Sequence, residues 1–221
     1  MSKLMWDQTN ERLYETGIEQ VALYKQVAGA YPKGVAWNGI TALNLTPSGA
    51  EATPLYANNA KYLTMMSAEE LGGTIEAYTY PEEFEECDGS AEAAPGLYIG
   101  QQTRVPFGLA GKTLIGNDSQ STKYGYKIHL VYGCLASPSE EAHATVNDSP
   151  EAATFSWEFS TTPVTIEGFK PTSYLCIDST KVDAEKLAVL EAVLYGSDEK
   201  EAMLPMPGEV INMLKTAEAA G

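Results

Sequence analysis

Alternation with a period of two residues constrains this chain more than any other feature. From Tyr124 to Tyr132 the even positions are Tyr124, Tyr126, Ile128, Leu130 and Tyr132, and the odd ones include Gly125, Lys127 and His129. Between Thr154 and Phe159, Phe155, Trp157 and Phe159 alternate with Thr154, Ser156 and Glu158. Successive strand side chains point to opposite faces, so such runs read as antiparallel strands with one face in and one face out. Further strands are predicted at Gly17–Lys25, Lys33–Thr46, Lys61–Met66, Gly73–Tyr80, Thr113–Gly116 and Thr172–Ile177. The turn residues Gly116-Asn117-Asp118-Ser119 predict a hairpin, and Pro47-Ser48-Gly49 a loop tip.

Helical signals are fewer. Asp183 is a good N-cap, Leu187, Leu190 and Leu194 fall on one stripe, and Gly196 follows, so the main helix is predicted over 183–195. A short acidic helix is predicted at Pro81–Asp88, and a last one from Glu209 to Lys215. No linker divides the chain. The expectation is a single domain over 1–221. Its fold class is mainly β, an antiparallel sandwich or barrel with one packed α-helix and an extended hairpin or loop.

Charge excludes some functions. Fourteen Lys and Arg against thirty Asp and Glu give a net charge of −16, which is unsuited to gripping DNA phosphates. The acids cluster in the cation-free stretch between Tyr62 and Thr103. The apolar runs are too short for a transmembrane helix, and the first ten residues lack the apolar core of a signal peptide. The chain is therefore expected to stay in the cytoplasm that makes it. Cys87, Cys134 and Cys176 are odd in number and widely spaced. They suggest neither a disulfide framework nor zinc, and Cys134 and Cys176 read as small buried hydrophobes.

Motifs with apparent chemistry fail on context. The run Pro106-Phe107-Gly108-Leu109-Ala110-Gly111-Lys112-Thr113 ends like a phosphate-binding loop, but it starts with Pro and lacks the strand before and the helix after. His129 and His143 form no zinc spacing, and no GxSxG occurs. The expectation is therefore no enzyme, no catalytic residue, no cofactor and no metal.

Several segments in order along nearly the whole chain give it a specific likeness. They are Trp6-Asp7 with Glu11-Arg12-Leu13-Tyr14-Glu15-Thr16-Gly17, then Gly34-Val35-Ala36-Trp37-Asn38-Gly39, and Thr74-Ile75-Glu76-Ala77-Tyr78-Thr79-Tyr80-Pro81-Glu82-Glu83-Phe84. Ile99-Gly100-Gln101-Gln102, Pro106-Phe107-Gly108, Asn147-Asp148-Ser149-Pro150-Glu151, Phe155-Ser156-Trp157-Glu158 and Ile177-Asp178-Ser179-Thr180-Lys181-Val182-Asp183 complete the set. The chain thereby resembles the major tail proteins, or tail tube proteins, of long non-contractile-tailed bacteriophages (siphoviruses). The resemblance implies a structural virion protein assembled in the host cytoplasm. Its copies would form hexameric rings with a continuous inner β-barrel, stacked into the tube through which DNA is ejected. The implied partners are other copies of itself and the tail terminator, tape-measure and distal tail proteins. DNA would pass without specific binding, and no membrane is involved. Two other classes share the strand pattern: a carbohydrate or adhesin-type β-sandwich binding module, and a capsid-decoration protein.

Two sets of residues follow as candidates. The segment 34–66 is long and carries Trp37, Leu43, Leu45, Leu55, Tyr56, Tyr62 and Leu63, so it is expected to form an extended hairpin or loop making inter-ring contacts. Glu76 and Glu158 sit on the polar side of alternating strands and are the candidate lumen-facing acids, where like charge would keep DNA sliding. The competing placement is the outer surface, for solubility alone.

Overall fold

Each half-buried strand needs a partner for its apolar face, and in the computed structural model, which describes residues 3–143, 145 and 152–215, two sheet halves and a helical layer supply it. The strands are β1 (Tyr14–Lys25), β2 (Gly34–Ala36), β3 (Ile40–Gly49), β4 (Ala52–Ala57), β5 (Ala60–Met66) and β6 (Glu69–Ala77). They continue with β7 (Ala91–Ala94), β8 (Leu97–Ile99), β9 (Phe107–Asn117), β10 (Ser121–Ala136), β11 (Phe155–Thr161) and β12 (Tyr174–Asp178). The helices are α1 (Glu85–Asp88), which continues a 3₁₀ turn at Glu82–Phe84, then α2 (Ala184–Tyr195) and α3 (Pro207–Leu214).

The main sheet has the order β2-β1-β9-β10-β11-β6-β3, with β12 also on β10, and it does not close on itself. All its pairings are antiparallel. β10 is the hinge of this arrangement. Along one edge it pairs with β9 as far as Cys134; along the other, Lys127–Val131 pair with β12 and the last three residues, Cys134–Ala136, with β11. The changeover falls at Gly133, whose φ of +63° is left-handed and whose missing Cβ would stand 2.3 Å from the Thr162 carbonyl. A bulge there redirects the strand, as bulges do, and folds the β11-β6-β3 half over the β1-β9-β10 half.

Two cores result. Between the sheet halves lie Leu23, Ile75, Leu109 and Val131 with an aromatic cluster. In that cluster Trp37 packs 4.6 Å from Phe84 and 5.7 Å from Trp157, centroid to centroid. On the other face of β1-β9-β10, Ile128, Leu130 and Tyr132 pack against Leu187, Leu190 and Leu194 of α2 and Val210 of α3. Asp183 caps α2 by accepting from the amides of Glu185 and Lys186. The other end is tied to the sheet, because the buried Tyr24 hydroxyl donates to the Leu194 carbonyl at 2.6 Å.

The predicted elements compare as follows. The 183–195 helix forms with its expected cap, and the acidic segment is helical as read. The last helix begins earlier, at Pro207, and it packs on the sheet beside α2, so the helical layer holds more than one helix. The span Lys33–Thr46 is two strands, split by a corner at Trp37–Gly39 where the chain crosses from one sheet half to the other. Thr113–Gly116 is the end of the longer β9. Pro47-Ser48-Gly49 is not a tip but lies within β3, paired with Glu69–Leu71 of β6. Cys134 is buried, but Cys176 is exposed, because the register pairs it with His129 on the polar side of the β10 alternation. The Asn147–Glu151 motif falls outside the described residues.

Candidate functional site

The β3–β6 pair does not end where the body ends. Beyond Gly49 and Glu69 a joint follows, at which the Ala50 amide donates to the Ala68 carbonyl and the Ser67 amide to the Glu51 carbonyl, both at 3.3 Å. β4 and β5 then continue the hairpin in register from Ala52↔Met66 to Ala57↔Ala60. Asn58 and Asn59, with φ of 50° and 60°, make the tight turn at its tip, the left-handed pair that two-residue hairpin loops require. At roughly 3.3 Å per residue, this arm reaches about 25 Å beyond the body. Every residue of β4 and β5 is exposed. Leu55 and Leu63 face one another across the strands at 41% exposure each, and Tyr56 and Tyr62 are 70% and 73% exposed. Met65 and Met66 are exposed beside them. Exposed apolar side chains on both faces of an isolated two-stranded hairpin are unusual for a surface and mark a contact site.

The seven residues grouped by sequence therefore separate. Leu55, Tyr56, Tyr62 and Leu63 lie on the arm. Trp37 does not: it is buried in the inter-sheet core, with its indole N–H donating to the Thr79 carbonyl at 2.9 Å, so it cannot reach another subunit. Leu43 and Leu45 are half-buried against the same core. Trp37 looked like a loop aromatic because the corner that buries it follows only three strand residues.

Glu76 and Glu158 come together on one face. Across β3, β6 and β11 the register makes rows of Ala42–Glu76–Ser156, Asn44–Thr74–Glu158 and Thr46–Gly72–Ser160. The intervening rows, with Leu43–Ile75–Trp157 among them, face the core. The outer face is thus a smooth band of small side chains whose charges in these rows are two diagonal carboxylates. Glu158 is exposed and Glu76 half-buried.

The apparent phosphate loop is Pro106 and the first part of β9, a strand paired on both sides, so its amides face neighbouring strands rather than an anion. Lys112 points toward α2. Its Nζ is 2.7 Å from Glu191 Oε1 and lies over the rings of Tyr126 and Tyr195, 4.6 and 5.1 Å from their centroids. Burial and the Glu191 carboxylate push Tyr126 up to about 12, so its ring stays neutral beneath the cation. This ion pair floors a cleft of ≈ 880 Å³ between β1, the β2–β3 corner and the end of α2. Ile18, Val21, Ile40 and Leu194 line the cleft, and exposed Glu19 stands at it.

A second polar group was read too simply from sequence. His129 is half-buried, with Nε2 2.7 Å from Thr113 Oγ1 and Nδ1 2.7 Å from the Tyr174 hydroxyl. Burial holds its pKa below the ordinary imidazole value. The geometry orients a neutral ring, but the cleft described above takes in none of these side chains. Among the described residues no cluster of three or more His, Cys, Asp or Glu could hold a metal, and no helix is long and apolar enough to cross a membrane.

Sequence reasoning also missed the small hairpin β7–β8, on which Leu97, Tyr98 and Ile99 are exposed. Its Pro95-Gly96 turn, bounded by the short runs Ala91–Ala94 and Leu97–Ile99, was the available signal. No family model matches this chain, and no curated protein matches it in sequence.

Proposed function

We propose that the chain is a tail tube subunit, a structural protein whose copies form rings that stack into the conduit for DNA. The observation that carries this reading is the arm: a hairpin outside the subunit's own core whose apolar side chains, beyond the Leu55–Leu63 pair across its own strands, stay exposed among the described residues. Burying Leu55, Tyr56, Tyr62, Leu63, Met65 and Met66 together is worth on the order of 10 kcal/mol. Association itself costs a comparable amount. One arm contact is therefore marginal, and a ring of them acting together is not. That balance suits a subunit that stays soluble at −16 until assembly begins.

The band carrying Glu76 and Glu158 suits the wall of the bore. Its side chains are small, so the wall is smooth, and its charge repels phosphate, so DNA has nothing to hold it. In this reading the β11-β6-β3 half faces the lumen, and α2 and α3, on the far side of the sandwich, face outward. Edge strands of neighbouring subunits complete the inner barrel that one subunit leaves open.

The test is removal of Ala52–Met66, with Glu51 joined to Ser67 through a two-residue Asn-Gly turn. Those residues already bond across the joint, so the body is expected to fold with its melting temperature within about 2 °C of the parent, and to form no tubes. Tubes from the shortened chain refute the arm's role. A parent chain that stays monomeric at high concentration and is missing from purified tails refutes the function.

A further inference from the structure

The arm has a counterpart on the same chain. β3 runs from Ile40, on the wall of the ≈ 880 Å³ cleft, to Gly49, the root of the arm. Arm and cleft therefore lie at opposite ends of one strand. A second copy displaced along that strand presents its arm to the first copy's cleft, and the contact repeats without limit, because the two patches differ and cannot saturate each other.

Their chemistry matches. The cleft offers the half-buried side chains of Ile18, Val35 and Ile40 among polar wall residues, and its floor cation, Lys112, is already neutralised by Glu191. Glu19 remains: it is exposed and has no ion-pair partner among the described residues. The arm tip carries the opposite charge. Lys61 is the only cation between Lys33 and Arg104, it pairs across the hairpin with Tyr56 next to the Asn58-Asn59 turn, and it too has no ion-pair partner among the described residues. β1 is also irregular here. Its register with β9 slips on both sides of Glu19, and β2 covers it only from Ala22 to Tyr24. Among the described residues no strand pairs with this edge of β1 before Val21, whose carbonyl accepts from the Trp37 amide, so the stretch around Glu19 is open to an incoming hairpin.

We propose that the cleft between β1, the β2–β3 corner and α2 receives the arm tip of a second copy stacked head to tail, with Leu55 and Leu63 against Ile18, Val35 and Ile40 and Lys61 facing Glu19. This rests on the arm's assembly role proposed above and adds its receiving site.

Disulfide trapping in the full chain tests it. The exposed thiol is first removed by Cys176→Ser; Cys87 and Cys134 are buried. Glu19→Cys and Lys61→Cys are then combined in one chain, and a control combines Lys61→Cys with Ser156→Cys on the acidic sheet face. Under mild oxidation at assembling concentration, the first pair is expected to give a reducible ladder of dimers, trimers and higher species. The control pair is expected to give less than a tenth of that yield. Charge exchange gives an independent readout. Lys61→Glu is expected to slow assembly at least tenfold, and Lys61→Glu with Glu19→Lys to bring it back within about threefold of the parent. Tubes that form with no ladder from the first pair overturn the cleft assignment and leave the arm reading standing. Equal ladders from both pairs overturn it as well. Tubes from the arm-deleted chain overturn both. A chain giving neither tubes nor ladder also overturns both.

Discussion

Replacing Lys112 with Met separates two accounts of the same residue. If the run ending at Thr113 held a nucleotide, the change would abolish binding and leave stability nearly unaltered. In the observed fold it instead strips the partner from Glu191, whose Oε1 is sealed from water and has no well-angled donor apart from the Lys112 ion pair at 2.7 Å. Breaking a fully buried pair by removing one member costs about 3–5 kcal/mol. Here the side chains of Lys112 and Glu191 are 11% and 26% exposed, so water recovers part of that. Two cation–ring contacts, each worth about 0.5–1 kcal/mol, are lost as well, while Met keeps most of the apolar stem in place. The net expectation is a loss of about 2–3 kcal/mol. For a chain of this size that lowers the melting temperature by about 5–10 °C. Differential scanning calorimetry on Lys112→Met, Glu191→Leu and the double variant gives the decisive cycle. Each single change is expected to destabilise by more than the pair together, with the double variant within about 1 kcal/mol of the parent. Adding ATP is expected to shift none of the four melting temperatures. Additive single effects, or a Lys112→Met loss below about 0.5 kcal/mol, would show that the pair is not coupled and that the description of the cleft floor is wrong.

Glu76→Lys combined with Glu158→Lys is expected to leave tube assembly intact and to slow DNA ejection, more strongly at low ionic strength; unchanged ejection from well-formed tails places this face away from the path. Gly133→Ala is expected to destabilise by about 2 kcal/mol or more, because it combines a left-handed φ with a close backbone contact; urea unfolding measures it, and a neutral result removes the bulge as the corner of the fold. His129 protonates less readily in the folded chain than in the unfolded one, so the unfolded state binds the extra proton first. Its contribution to stability is full above about pH 6.5 and lost as pH falls from there through the lower folded-state pKa. The melting-temperature difference between parent and His129→Gln is therefore expected to shrink on acidification over that window, and a constant difference would contradict the burial assigned to the ring.

What the sequence settled by itself is local. The alternation in Tyr124–Tyr132 and Thr154–Phe159 places strands and their inward sides, and the cap and leucine stripe from Asp183 to Tyr195 place a helix, because those signals repeat within a few residues. The same periodicity put Glu76 and Glu158 on the polar side of their strands, and the register of β6 with β11 makes that a single face. Which apolar residues are covered was decided elsewhere. Trp37 and Tyr62 are both aromatic residues in one long Thr- and Asn-rich stretch, yet Trp37 meets Phe84 and Trp157 in the core while Tyr62 meets water. The even side of β10 was legible, but at Val131 its odd side is buried too, because β11 folds over it at Gly133, and past that bulge Cys134 and Ala136 face the inter-sheet core while Leu135 is exposed. The cleft joins Lys112 to Glu191 and Ile18 to Ile40, residues that only strand pairing and helix docking bring together. Burial depends on partners distant along the chain, as when the Gly133 amide donates to the hydroxyl of Tyr31, 102 residues away. A side chain's neighbours within a few positions carry its direction from the backbone, but they carry no information about what arrives to cover it.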